Sequence, residues 1–528
     1  MTAVTRSCPF NNRVRPPFGG ADRKDKCMAT KQHSRKKLDS NCDIESLRTY
    51  KPEDFSDVGQ AKILVETCKA CLSYTEATDY LYYDGTRWAE DKLAAQKLVQ
   101  DLTELQLQEA QDTINCILET CKDDANLLEL VKSKPRPKCL SKEQKKMCAE
   151  YDNACEYIRF VLRCRSSRNI LAALAVAAPR LAIKVDQLDS NGFSLNTPSG
   201  TYDLRKGVDD LRPHNPDDYI TQITNVAPGT DGMEIWDTFL RQIFCEDEDL
   251  IRYIHQVCGL IAIGHVYVEA MIVAVGNGRN GKSTFFNVIA KVLGTYSGSL
   301  SADVLTQECH RNAKPELALL RGKRLIIAAE LKSNTSLNDA MIKQLCSTDA
   351  VFAEEKYRAP FSFIPSHTLV LYTNHLPAVS ANDDGIWRRL IVIPFSARIE
   401  SAGDIKNYAD YLYEHAGPAI LAWIIEGAKM VIAAEYKIEM PRCVAEAIND
   451  YRHANDWFSQ FLSACCDIAP EKSESSSALY KRYRNYCETQ YETPKSTTAF
   501  YNALSSAGFR RVLQNRRSVI IGLALKAI

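Results

Sequence analysis

The sequence predicts an α/β protein: a parallel-sheet core over residues 231–400, a mostly helical region ahead of it, and a helical segment and a small basic domain behind it. Three observations carry this. Residues 270–275 are apolar, 276–284 read GNGRNGKST, and 285–293 are again apolar at helical spacing, giving strand, glycine-rich loop and helix. Apolar runs recur at 325–329, 368–373 and 390–395, separated by polar and helical stretches, which is the alternation of an α/β fold. Outside that core, apolar residues at three- and four-residue steps dominate 92–178 and 403–465.

Whole-chain properties narrow the function classes. At 528 residues the chain has room for roughly three to four domains. It is 45% hydrophobic and 25% charged with a formal net charge of zero, so any nucleic-acid binding rests on local patches. The apolar stretches at 171–183 and 259–275 are broken by Pro179 and Arg180, and by His265 and Glu269, so neither is expected to span a bilayer. The N-terminus lacks the apolar core of a signal peptide. Nineteen scattered cysteines without an export signal imply a reducing, cytoplasmic location with free thiols and no membrane partner. Cys68 and Cys71 form a lone C-x-x-C, and Cys139, Cys148, Cys155 and Cys164 recur loosely; buried or idle thiols explain both better than zinc.

Residues 1–55 read as a basic, disordered arm, since the first forty carry ten Lys/Arg against three Asp/Glu. A domain over 56–230 opens with a helix from Asp57. Aromatic alternation on either side of Asp84-Gly85 then predicts a hairpin with a tight turn. One helix is expected over 92–131, a charged, proline-broken connection over 132–146, and more helix to about residue 178. Residues 189–207 are turn-rich with short strands, and 213–218 continue as loop. A helical block over 234–263 leads into the glycine-rich loop. Residues 401–472 form a helical segment, with SESSS at 473–477 as a polar linker or helix cap. Residues 473–528 give a helix, a second helix stopped by Gly508, and two strands round a basic turn, suggesting a winged helix.

The loop carries the chemistry. Gly276, Asn277, Gly278, Arg279, Asn280, Gly281, Lys282, Ser283 and Thr284 match G-x-x-x-x-G-K-S, in which glycines let successive N–H groups turn toward one anion at a helix start. Lys282 is expected to reach the β- and γ-phosphates of ATP, and Ser283 to hold a Mg²⁺ bridging them. Hydrolysis also needs an acid, a polar sensor and a cation. Glu330 closes the apolar strand 325–329, expected beside the strand that precedes the loop, and stands 48 positions after Lys282. Asn374 closes the next strand, 44 positions later, as the sensor, and Arg389 precedes a further strand 15 positions on, with Arg388 beside it.

Together these residues resemble the superfamily 3 helicases, and more closely the helicase half of phage and plasmid primase–helicases, including the satellite-phage and poxvirus types. The specific marks are residues 317–330 (LALLRGKRLIIAAE), 360–377 (PFSFIPSHTLVLYTNHLP) and 384–395 (DGIWRRLIVIPF), and the likeness covers roughly 55–528. The resemblance implies an AAA+-like core assembling as a ring, most often a hexamer, with ATP between subunits. Lys282 and Ser283 would bind ATP–Mg²⁺, Glu330 would help hold the metal and activate water, Asn374 would be the sensor, and Arg389 the finger reaching a neighbour's ATP, with Arg388 in reserve. One departure is Ala329, where many relatives carry a second acid.

The resemblance also places a β-hairpin between Glu330 and Asn374 that grips single-stranded DNA. Lys356 and Arg358 are its basic candidates, Tyr357 a base-stacking one, and Lys343 lies on the preceding helix. In the C-terminal domain Arg510, Arg511, Arg516 and Arg517 would contact duplex or fork phosphates, since residues 481–528 hold nine Lys/Arg against two acids. The expected function is an ATP-dependent 3′→5′ DNA helicase in replication of a phage, prophage or other mobile element. No primase domain of its own is expected; a separate primase is a candidate partner. The alternatives are an origin-binding initiator or loader that uses ATP for assembly, and an ATP-switched scaffold.

Overall fold

The computed structural model describes residues 48–332, 335–379, 383–399, 407–490, 494–514 and 517–526. The arm up to residue 47 and Arg516 lie outside them. The described chain divides into two compact units, one of residues 48–74, 80–82 and 91–182, the other of residues 75–79, 83–90 and 183–526. The expected domain over 56–230 is therefore not one compact body, because its last fifty or so residues pack with the core that follows.

Helix α1 (Asp57–Cys68) starts where the sequence predicts, with the Ser56 hydroxyl accepting the Gly59 N–H at 3.1 Å. A three-stranded sheet follows, β1 (Leu72–Thr75), β2 (Asp79–Tyr83) and β3 (Trp88–Glu90) in that order. The expected turn joins β2 to β3: the Asp84 carboxylate accepts the N–H groups of Thr86 at 2.7 Å and Arg87 at 2.9 Å. The single helix expected over 92–131 is instead α2 (Lys92–Thr120) and α3 (Ala125–Lys132), because Asp124 caps the second one. Helix α4 (Lys142–Cys164) begins inside the stretch expected as a connection, where Ser141 and Gln144 form a reciprocal capping box. Helix α5 (Ser167–Leu181) completes the first unit, with α1 packed on α5 and α2 on α4. Cys71 is disulfide-bonded, against the expectation of free thiols throughout; the other described cysteines form no disulfide.

The second unit opens with a small antiparallel sheet, β4 (Ser194–Thr197), β5 (Gly200–Asp203) and β6 (Leu211–Arg212). The helical block expected over 234–263 is two helices, α6 (Met233–Ile243) and α7 (Glu248–Ala262). Left-handed backbone at Cys245 (φ 53°) and Glu246 (φ 60°) breaks it, and Asp247 caps the second half. Then come β7 (Met271–Val275), α8 (Lys282–Leu293), β8 (Ser297–Ser301), α9 (Lys314–Ala318), β9 (Leu325–Ala329), α10 (Asp339–Leu345), the hairpin β10 (Val351–Ala353) and β11 (Phe361–Phe363), β12 (Thr368–Thr373), α11 (Asp384–Trp387) and β13 (Leu390–Pro394).

Five of these strands form one parallel sheet in the order β13-β7-β12-β9-β8. Both faces of four of its strands are covered, which is why β7, β9, β12 and β13 are apolar at successive positions, whereas the edge strand β8 (SGSLS) is polar and largely unburied. Ile272 and Ala274 of β7 join the core built with Phe285, Val288 and Ile289 of α8, whereas Met271 and Val273 join one with Ile342, Leu345 and Trp387. Helix α12 (Tyr408–Ala433) is, among the described residues, the one helix long and apolar enough to cross a membrane. It packs on α6, α7 and α8 with Ile420, Leu421 and Ile424 fully buried, which is the behaviour of a core helix. Helix α13 (Arg442–Asn455) lies against β13.

The C-terminal element consists of α14 (Trp457–Cys465), β14 (Cys466–Ser475), α15 (Ser476–Thr489), α16 (Thr497–Ser506), β15 (Arg510–Gln514) and β16 (Arg517–Leu525), with sheet order β14-β16-β15. Its core gathers Phe458 and Phe461 with Leu479, Tyr483, Phe500 and Leu523. It therefore starts near Trp457, ahead of the expected residue 473. The serine cluster is the end of β14, with Ser475 at the cap position of α15, and not a linker.

Candidate functional site

The parallel register brings three segments to one edge of the sheet. Val275 pairs with Thr373 and Pro394, and Ala329 with Tyr372, so the loop after β7, Glu330 after β9 and Asn374 after β12 emerge together. Ligands of open parallel sheets sit at this C-terminal edge. The strand carrying Glu330 is not beside β7, as expected; β12 lies between them, so Asn374 is the residue delivered directly to the loop.

The loop turns through left-handed backbone at Gly278 (φ 89°), Arg279 (φ 50°) and Gly281 (φ 81°). At Gly281 a side chain is excluded as well, since a Cβ would stand 2.5 Å from Ile243 Cγ2. Two contacts tie the loop to the segment after β13: the Asn280 amide donates to the Phe395 carbonyl at 3.2 Å, and the Ile399 N–H to the Arg279 carbonyl at 2.9 Å. Asn277 and Arg279 face solvent, and Ser283 is exposed in the first turn of α8 with Thr284 half-buried beside it.

Lys282 is 5% exposed. Its Nζ donates to Asn374 Oδ1 at 2.6 Å and to the Gly276 carbonyl at 3.1 Å. Both acceptors are neutral, and burial pushes the ammonium below the ordinary lysine range while nearby Glu330 opposes the shift. A buried, under-compensated cation at a helix N-terminus beside a glycine-rich loop is built to receive an anion. Glu330 has a left-handed backbone (φ 58°), sparsely populated for a residue with a side chain, and it leaves the carboxylate exposed at the edge. Ser283 and Glu330 are oxygen donors of the kind a hard divalent cation takes, whereas Ala329 contributes none.

The two arginines separate. Arg389 is 8% exposed, is ion-paired to Glu269 and donates to the Gly385 carbonyl at 2.9 Å. Its own carbonyl accepts the Met271 N–H at 2.7 Å, so it sits at the start of β7 and β13, opposite the edge that holds Lys282. Arg389, the preferred outward-reaching cation, thus has its guanidinium engaged within the chain. Arg388 is exposed and has no ion pair among the described residues. Glu269 was not legible in sequence as a site residue; only the parallel pairing of β7 with β13 reveals it, because the residues just ahead of two paired strands share an edge.

The expected hairpin exists as β10 paired with β11. Tyr357, with left-handed backbone (φ 66°), stands fully exposed at its tip beside exposed Lys356. Two other nucleic-acid candidates are not free. Lys343 is ion-paired with Asp383, and Arg358 with Glu90 and Glu355. In the C-terminal element Arg510 and Arg517 are exposed, while Arg511 lies over the Tyr501 ring at 4.3 Å and donates to the Ser518 hydroxyl.

Comparison with known proteins adds an independent line. Residues 61–245 match the family described as D5 N terminal like, and residues 274–389 a family described only as of unknown function. The candidate helicase L207/L206 of Acanthamoeba polyphaga mimivirus is 30% identical over 218 residues, 40% of this chain and 22% of that protein. The candidate helicase 022R of Frog virus 3 is 25% identical over 305 residues, 54% of this chain and 30% of that protein. These matches support a place for the chain among the phage and viral primase–helicases.

The chain thus spans less than a third of the length of either relative. Among solved structures, the C-terminal region of NrS-1 aligns over 56% of this chain and 77% of its own with a TM-score of 0.38 and 13% identity, too remote a likeness to carry an argument. The two family matches fall on different parts of the fold. The D5-type match runs across both compact units, whereas the second match contains Lys282, Glu330, the hairpin, Asn374 and both arginines.

Proposed function

We propose that the chain is an ATP-dependent DNA helicase motor of the superfamily 3 type, acting in viral, phage or mobile-element replication. The observation that carries this is the Lys282–Asn374 hydrogen bond with Glu330 at the same sheet edge. It supports the assignment of cation, sensor and acid to one site.

The residues then divide the work. Lys282, held by two neutral oxygens, exchanges them for oxygens of the β- and γ-phosphates, and its charge gains the counter-ion that burial denies it. That exchange frees the Asn374 amide, which then orients the attacking water or the γ-phosphate. The Glu330 carboxylate accepts a proton from that water as its oxygen bonds to the γ-phosphorus and the bond to the ADP oxygen breaks. Ser283 and Glu330 would hold a Mg²⁺, which supplies charge neutralisation for the phosphates. Arg388 is the exposed guanidinium available to a neighbouring copy's ATP, which is why assembly into a ring, with 3′→5′ movement, is part of the proposal. Lys356 and Tyr357 contact single-stranded DNA, and the C-terminal element, as a winged helix, binds fork phosphates through Arg510 and Arg517.

The test is ATP hydrolysis with and without single-stranded DNA, alongside strand separation on a forked duplex, for the wild type and Lys282→Ala. DNA-stimulated turnover with unwinding, both lost in the variant, is the expected result. ATP-dependent assembly and duplex binding without unwinding would replace the motor with an origin-binding initiator.

A further inference from the structure

The hairpin's arginine is engaged with a residue 268 positions earlier in the chain. Arg358 is paired through both terminal nitrogens with the Glu90 carboxylate, Nη1 donating to Oε2 at 2.9 Å. The same Nη1 donates to the Ala77 carbonyl at 3.3 Å and lies 3.0 Å from Glu355 Oε2. Ala77 precedes β2 and Glu90 ends β3, so both belong to the segment matched by the D5-type family. The bidentate pairing holds Arg358 well above its already high ordinary range, the hydrogen bond to Glu90 being the main cause. Below it, Arg321 lies 5.7 Å over the Phe361 ring, within the field of Glu355 and Glu90. Outside the hairpin, the Arg358 guanidinium is thus engaged with Glu90 and Ala77, while Lys356 and Tyr357 stand exposed at the tip.

We propose that Arg358 is a positioning residue and not a DNA contact: through Glu90 it latches the β10–β11 hairpin to the β2–β3 segment, and that latch sets where Lys356 and Tyr357 meet the strand. The proposal rests on the hairpin being the DNA-gripping element. It assigns the D5-type segment a part in the motor, as the fixed point against which the hairpin is held. A two-point, charge-assisted pair suits this, because it fixes orientation as well as distance.

The test uses the full chain and a thirty-nucleotide oligo-dT, with affinity measured across a salt series. A residue that neutralises a phosphate contributes about 0.7 to the slope of log affinity against log salt on single strands. Lys356→Ala should lower the slope by about that amount. Arg358→Ala and Glu90→Gln should both weaken binding at unchanged slope. Both should also raise hydrogen exchange over residues 351–363 in the absence of DNA, by roughly fivefold for a pair of this exposure. If Arg358→Ala lowers the slope while Glu90→Gln tightens binding, Arg358 is a phosphate contact and the latch is overturned. If exchange over the hairpin is unchanged in both variants, the latch is likewise overturned. If Lys356→Ala and Tyr357→Ala leave DNA binding untouched, the hairpin is not the gripping element and both readings fall.

Discussion

Substituting Arg388 and Arg389 one at a time should separate a catalytic cation from a structural one. Truncating Arg389 to alanine removes a hydrogen bond to the Gly385 carbonyl, worth about 1 kcal/mol, and a charge-assisted one to Glu269, worth roughly 1.5–3 kcal/mol. The Glu269 side chain is 38% exposed, so water replaces part of the lost pairing and the lower end of that range applies. Against this, Arg389 Nε has no partner among the described residues, and removing it recovers a little of its burial cost. The net loss is about 2 kcal/mol, or roughly 3 °C in Tm for a unit of this size.

Arg388 is exposed, so its alanine variant should stay within about 0.5 kcal/mol of the wild type. In turnover the order reverses. A guanidinium that stabilises phosphoryl-transfer charge is worth about 10³–10⁵ in rate, so Arg388→Ala should lose ATP hydrolysis while unfolding like the wild type. The assay is thermal unfolding in parallel with turnover at saturating ATP, below both transitions. Mixing Arg388→Ala with Lys282→Ala protein adds a second readout. Each lacks a different half of a shared site, so the mixture should recover activity that neither variant has alone. If Arg389→Ala loses turnover at unchanged Tm and Arg388→Ala behaves as wild type, Arg389 is the finger, and its buried pair with Glu269 must open in the ring.

Three further outcomes are expected. Burial lowers the Lys282 pKa, so binding a polyanion should raise it again; nucleotide binding should take up protons on the alkaline side and weaken as pH rises there, measurable by calorimetry in buffers of different ionisation enthalpy, with the uptake absent in Lys282→Ala. His367 is 3% exposed with both ring nitrogens unpartnered, and burial pushes it down to about 4. The unfolded chain thus binds the proton first, so stability should fall as pH drops from the ordinary histidine value toward 4, by about 1.4 kcal/mol per unit at most, and His367→Leu should flatten that acid limb in urea unfolding. Tyr357→Ala should leave Tm unchanged, because the ring touches little, and weaken single-strand binding roughly tenfold, with no loss of affinity meaning that the tip does not stack on bases.

The candidate site at the sheet edge was legible because it is written in contiguous stretches. An apolar strand followed by G-x-x-x-x-G-K-S needs nothing distant to be recognised, and Glu330 and Asn374 each close an apolar run. What the stretches did not contain was strand order. Four buried parallel strands, β7, β9, β12 and β13, look alike in sequence, since both faces are covered and no alternation marks a neighbour. Placing Glu330's strand beside β7 was the simplest expectation, and the insertion of β12 between them changes which side chain reaches the loop. It delivers the Asn374 amide to Lys282 and leaves Glu330 one strand further away.

The partners of the basic candidates were hidden for a related reason. Sequence shows where a cation is, but its availability depends on a counter-ion that is often remote in the chain. Lys343 is matched by Asp383, forty positions on, Arg389 by Glu269, 120 positions back, and Arg358 by Glu90, 268 positions back. The two hairpin candidates left exposed, Lys356 and Tyr357, immediately precede Arg358 in the chain, so local composition gave no ground for separating them. What separates them is the turn: a left-handed Tyr357 puts positions 356 and 357 at the outer end of the hairpin, while Arg358, next in the chain, points back toward Glu90. A charge run in a hairpin thus splits into a tip that can meet a strand and a base that holds it still. The second role is visible only once the partner acid has been located in three dimensions.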